Sequence, residues 1–104
     1  MNIDDDTRVK VWHFSSTPPA GYGGVSKCRV RLDGVTLYKL YNKRGSPTRE
    51  ETYREDLAKQ LDEALQARGA EMPRNRNDEL APGYLPEGEW TVEELAETLK
   101  KEEM

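Results

Sequence analysis

Asp33 and Gly34 stand between two alternating stretches, and this dipeptide constrains the fold more than any other feature of the 104-residue chain. A two-residue hairpin turn needs positive φ at both central positions, which Asp-Gly tolerates and most pairs do not. Strands are therefore expected at about 26–32 and 35–42. With the turn at 33–34, Leu32 faces Val35, Val30 faces Leu37 and Cys28 faces Lys39. The opposite side then carries Arg31 beside Thr36, Arg29 beside Tyr38 and Lys27 beside Leu40. One face reads as apolar and the other as basic with an aromatic set into it. A slip of one residue would exchange the two faces.

An apolar sheet face needs a cover. Tyr53, Leu57, Leu61 and Leu65 recur at intervals of four, with Ala58 and Ala64 beside them, which is the stripe of an amphipathic helix. The helix is expected over about 47–68. Ser46 and Pro47 serve as N-cap and first residue, and Thr48 with Glu51 offers a capping box. Glu50, Glu51, Glu55 and Asp56 suit the positive end of the helix dipole, and Gly69 followed by Pro73 marks its end.

A first strand is expected at about 8–15, with Val9 and Val11 on one side and Lys10, Trp12 and Phe14 on the other. A last helix is expected at about 91–102. There Thr91 and Glu94 form a capping box, Trp90 and Leu95 a hydrophobic staple, and Val92, Leu95, Ala96 and Leu99 a short apolar stripe. Together these elements predict an α+β fold: a small three-stranded antiparallel sheet covered by one long helix, with a short C-terminal helix. Residues 1–7 read as a flexible acidic tail and 8–104 as a single domain.

Two connections break the pattern. Residues 15–25 are rich in Ser, Pro and Gly and include Tyr22, but lack the Lys-Ser/Thr pair that opens a helix in a phosphate-binding P-loop. Residues 70–90 lack periodicity, and Tyr84 and Leu85 lie between prolines as two apolar anchors of an extended strap. Long loops of this kind are candidate contact surfaces.

The chemistry-bearing inventory is short. One His and one Cys do not make a structural zinc site, and Asp4, Asp5 and Asp6 lack the spacing of a calcium loop. A dyad of Cys28 and His13 requires their strands to be neighbours, and Cys28 falls on the apolar face, where burial suppresses thiol reactivity. No pocket is in view that would drive the pKa values of paired carboxylates apart. The expectation is a non-enzymatic chain with no cofactor and no metal. No apolar run is long enough to span a membrane and one cysteine forms no internal disulfide, so a cytoplasmic setting is expected.

Charge carries the functional expectation. Residues 1–49 hold nine Lys/Arg and four Asp/Glu, a formal +5, whereas residues 50–104 hold seven and sixteen, a formal −9. Such segregation supports steering toward a partner, and Lys27, Arg29, Arg31, Tyr38, Trp12, Tyr22 and Tyr84 are the candidate contact residues. The first reading is a protein-binding module, a small regulator, inhibitor or adaptor of the kind mobile elements such as phages encode. The thin core is also compatible with a homodimer. The alternative is a nucleic-acid-binding domain that uses the basic sheet face. The order of three strands and a helix over residues 8–68, with a basic strand pair around the turn, resembles the arm-type DNA-binding domains of phage integrases. That resemblance implies DNA binding through the sheet. An isoelectric point of about 5.1 argues against it.

Overall fold

The computed structural model describes residues 2–16, 25–43 and 49–102. It contains five strands and two α-helices. The strands are β1 (Arg8–Ser16), β2 (Val25–Leu32), β3 (Val35–Lys43), β4 (Arg49–Tyr53) and β5 (Gly88–Thr91), and the helices are α1 (Glu55–Gln66) and α2 (Val92–Glu102). The strands form one antiparallel sheet in the order β4-β3-β2-β1-β5.

The expected three-stranded sheet under one long helix is thus corrected to five strands and two short helices. Residues 49–53, read as the first turns of the helix, instead pair with Tyr38 to Asn42 along the free edge of β3. Tyr53 therefore keeps the four-residue spacing of the helical stripe by coincidence, standing on a strand with its ring edge-on to Tyr38 at 6.2 Å. Arg54 stays extended and donates its N–H to the Leu37 carbonyl at 2.9 Å, so α1 starts only at Glu55. Glu51 lies in β4, not at a helix N-terminus. Ser46, Pro47 and Thr48 lie outside the described residues. The fifth strand was hidden for a different reason. Its four residues pair with the outer edge of β1, a partner some eighty positions away, and no local signal specifies that.

The hairpin forms at the expected place. Asp33 and Gly34 have φ of 49° and 79°, as a type I′ turn requires. Its register then departs from the simple alternation, because the pairing shifts between Val30 and Arg31. Arg31 still faces Thr36, but Val30 faces Tyr38, so Leu37 is the extra residue of a β-bulge. Both Leu37 and Tyr38 consequently lean toward the helices. Beyond the bulge Arg29 faces Lys39, Cys28 faces Leu40 and Lys27 faces Tyr41.

Both helices bury their apolar stripes on one side of the sheet. Val9, Val11, Val30, Leu32 and Leu37 meet Leu57, Ala58, Leu61 and Leu65 of α1 and Val92, Leu95, Ala96 and Leu99 of α2. Met72 and Leu85, from the strap between α1 and β5, complete this core. Full burial of such side chains contributes about 1.5–3 kcal/mol each. The capping box of α2 forms: the Glu94 N–H donates to Thr91 Oγ1 and the Thr91 N–H to Glu94 Oε1, both at 3.2 Å. Gly69 takes the expected left-handed conformation, φ 81°, three residues beyond the end of α1.

The strap is fastened by polar groups. Asp62 of α1 is buried and accepts from the Met72 N–H (3.1 Å), Gln66 Nε2 (3.0 Å) and Arg74 Nη2 (3.4 Å). Residues 2–7 run past the start of α2. Thr7 is buried, its carbonyl accepts the Val92 N–H at 3.0 Å, and Asp5 pairs with Arg68 at 2.6 Å. Among the described residues, no helix is long and apolar enough to cross a membrane.

Candidate functional site

Alternation along the strands places one set of side chains on the sheet face that α1 and α2 leave uncovered. With Val9 and Val11 buried, Lys10 and Trp12 of β1 must point the other way. In register with them on β2 are Arg31 opposite Lys10 and Arg29 opposite Trp12. Lys39 opposite Arg29 and Tyr41 opposite Lys27 extend the face onto β3. Arg8 lies one step further along β1, so six cations occupy three adjacent strands.

The aromatic rings are set among these cations. The Arg29 guanidinium carbon lies 6.0 Å from the centre of the Trp12 ring, and Lys27 Nζ lies 5.1 Å from that of Tyr41. Trp12 is 38% exposed, a large share for an indole on a sheet. The Trp12 and Arg29 pair forms the shared wall of two shallow pockets. One, of about 380 Å³, is bounded also by Lys27, Lys39, Tyr41 and Glu50. The other, of about 250 Å³, is bounded by Lys10 and Arg31.

Acidic groups on this face stand at its two margins. Glu50 lies on the edge strand β4, opposite Tyr41, and Glu89 on the edge strand β5, opposite Lys10. Arg8 reaches Glu89 at 4.0 Å. The remaining acidic character belongs mostly to the helical side, where Glu55, Asp56, Glu63, Glu93, Glu94 and Glu97 are exposed. The low isoelectric point therefore averages over two faces of opposite sign.

Of the contact residues expected from sequence, Lys27, Arg29, Arg31 and Trp12 come together on this face. Tyr38 does not. The bulge at Leu37 turns it to the helical side, where its ring lies beside Gly83, and Tyr41 takes the place expected for it. Tyr84 stands 69% exposed on a single 3-10 turn, Pro82–Tyr84, also on the helical side. Tyr22 lies outside the described residues, as does the Gly-rich loop that holds it. Beyond the expected set, the face also gathers Lys10, Lys39, Tyr41 and Glu50. The bulge brings Lys39 and Tyr41 to it, and β4 brings Glu50.

The Cys28 and His13 pair is resolved differently. The two are direct cross-strand partners, so the strands are indeed neighbours. Burial nevertheless pushes the Cys28 thiol up, and its Sγ lies 3.8 Å from the Gly83 carbonyl that it donates to. A protonated thiol held in this way is a poor nucleophile. Among the described residues no group of three or more His, Cys, Asp or Glu side chains is placed to hold a metal ion.

The integrase arm-type resemblance rested on a sheet of three strands, and that sheet has five. Comparison with protein-family models, with curated proteins and with solved structures finds no match to this chain.

Proposed function

We propose that this chain is a nucleic-acid-binding domain that acts through the uncovered face of its sheet, without enzymatic chemistry. The observation that carries the reading is the juxtaposition of Lys10, Lys27, Arg29, Arg31 and Lys39 with an exposed Trp12 on the face that neither helix covers. Cations neutralise phosphates and release their counterions, while aromatic faces accept stacked bases. Acidity on the helical side opposes non-productive contact and orients the domain sheet-first toward a polyanion. An intracellular setting belongs to this reading, in keeping with the free thiol of Cys28.

The test is binding of a fluorescent random-sequence single-stranded oligonucleotide across a salt series. Engagement of three or four phosphates gives a log–log slope of roughly −2 to −3. Changing Arg29 and Arg31 together to Ala flattens that slope by about 1.4 and leaves the circular dichroism spectrum unchanged. Absence of binding at low salt overturns the reading.

A protein-binding role is favoured by a separate observation on the helical side. Tyr84 is the most exposed large hydrophobic side chain described, and Tyr53, 40% exposed, stands edge-on to Tyr38, whose ring also lies beside Gly83. Tyrosines of this kind anchor protein interfaces. A regulator or adaptor that held nucleic acid on one face and a protein on the other would lose only the protein contact on Tyr84→Ala.

A further inference from the structure

The geometry points to a guanine-selective site for single-stranded nucleic acid: the base enters the pocket between Trp12 and Tyr41, and Glu50 accepts its hydrogen bonds. This rests on the nucleic-acid reading above and adds to it both the form of the strand and the identity of one base. The larger pocket is bounded by two aromatic residues, three cations and one carboxylate, with Cys28 and Leu40 beside them, and its volume of about 380 Å³ suits a flat heterocycle with its sugar. The smaller pocket across the Trp12 and Arg29 wall has three cations and no acidic side chain on its boundary. A phosphate belongs there, one backbone step from the base.

Glu50 decides between occupants. An acidic peptide filling this pocket would place its carboxylates against that of Glu50, a repulsive contact at the margin of an attractive surface. A base with N–H donors turns the same carboxylate into an acceptor. Guanine offers N1–H and the N2 amino group side by side on its Watson–Crick edge, matching the two oxygens of one carboxylate. Cytosine and adenine offer a single amino group next to a ring-nitrogen acceptor, and thymine offers one N–H between two carbonyls. Each of these sets an acceptor against Glu50. In a duplex the Watson–Crick edge is already paired and the faces are stacked, so only an unpaired base can use the pocket.

The experiment compares fluorescence anisotropy of the full chain with twelve-nucleotide oligothymidine and with the same oligomer carrying guanine, adenine or cytosine at two central positions. The expected result is roughly tenfold tighter binding of the guanine oligomer, from the usual worth of a bidentate base contact. Glu50→Gln then brings that preference below about twofold while the salt slope is kept, since the phosphate contacts are untouched. Tyr41→Ala weakens all four oligomers together, because stacking is indifferent to base identity. Equal binding of all four by the wild type, with a normal salt slope, overturns the guanine site and leaves the nucleic-acid reading standing. Tighter binding of a duplex of equal length overturns it in favour of groove binding. Failure of every oligonucleotide to bind at low salt overturns the nucleic-acid reading itself and leaves a protein as occupant of the face.

Discussion

Arg29 lies over Trp12 on the neighbouring strand, guanidinium carbon to ring centre 6.0 Å, where the two residues are direct cross-strand partners. The contact holds a cation and a ring in fixed register at the centre of the uncovered face. A planar guanidinium can stack on the indole and still direct N–H groups outward, which an ammonium cannot do.

Arg29→Lys therefore separates charge from stacking. The salt slope of oligonucleotide binding is expected to stay within error of the wild type, while affinity falls about two- to fivefold, the worth of an exposed cation–π contact. An unchanged slope together with an unchanged affinity would show that Arg29 acts as a charge alone.

The turn can be tested without touching any contact. A Cβ on Gly34 meets no atom within 4 Å, so Gly34→Ala introduces backbone strain at φ 79° and nothing else. The expected loss is about 1 kcal/mol. In a domain of this size that lowers the melting temperature by about 4–8 °C, measurable by circular dichroism. An unchanged melting temperature would mean that the turn relaxes at no cost.

Asp62 fastens the strap to α1, and its removal strands its donors. Asp62→Ala leaves the buried Met72 N–H without an acceptor and Arg74 without its nearer carboxylate. Urea unfolding is expected to show a loss of about 2–3 kcal/mol, whereas Asp62→Asn, which still offers one acceptor, loses less. Equal losses for both variants would place the effect in charge rather than in the buried hydrogen bond.

Cys28 makes stability depend on pH in the alkaline range. Burial holds its thiol above the ordinary value of 9.0, so the folded chain keeps this proton after the unfolded chain has begun to lose it. The stabilisation is complete below that ordinary value and is lost as pH rises through the folded one. Cys28→Ser lacks the titration, so the wild type's advantage in urea midpoint should shrink as pH rises above about 9.0. Tyr53 is also raised, by burial and then by Glu55 and Glu79, but it is common to both chains and cancels in the comparison. An advantage that stays constant with pH would contradict the burial of the thiol.

What could be read from sequence was the part encoded locally. Asp33-Gly34 carries its own turn chemistry, and the alternation before it sends Arg29 and Arg31 away from the core without reference to anything distant. Thr91 and Glu94 likewise form their cap within four residues. The bulge was illegible because Leu37 and Tyr38 are both apolar, so a strict alternation and a shifted one fit the same letters. The strand Arg49–Tyr53 was illegible because Tyr53 continues the spacing of Leu57, Leu61 and Leu65, and because Glu50 and Glu51 suit a helix start as well as an exposed edge. Its pairing depends on backbone groups of β3 that no side-chain pattern records. The first reason hid the place of Lys39 and Tyr41 on the open face, and the second that of Glu50.

The two marginal carboxylates have a consequence for direction. Lys27, Arg29 and Arg31 follow one another along β2 at intervals of two residues, about 6.8 Å each. Glu50 and Glu89 flank that line on the outermost strands. A polyanion laid across the strands would bring its phosphates onto both glutamates, whereas one laid lengthwise follows the cations of β2. On the nucleic-acid reading proposed above, the strand would therefore take a heading along β2. A second domain bound to the same strand would join end to end along that axis rather than side by side.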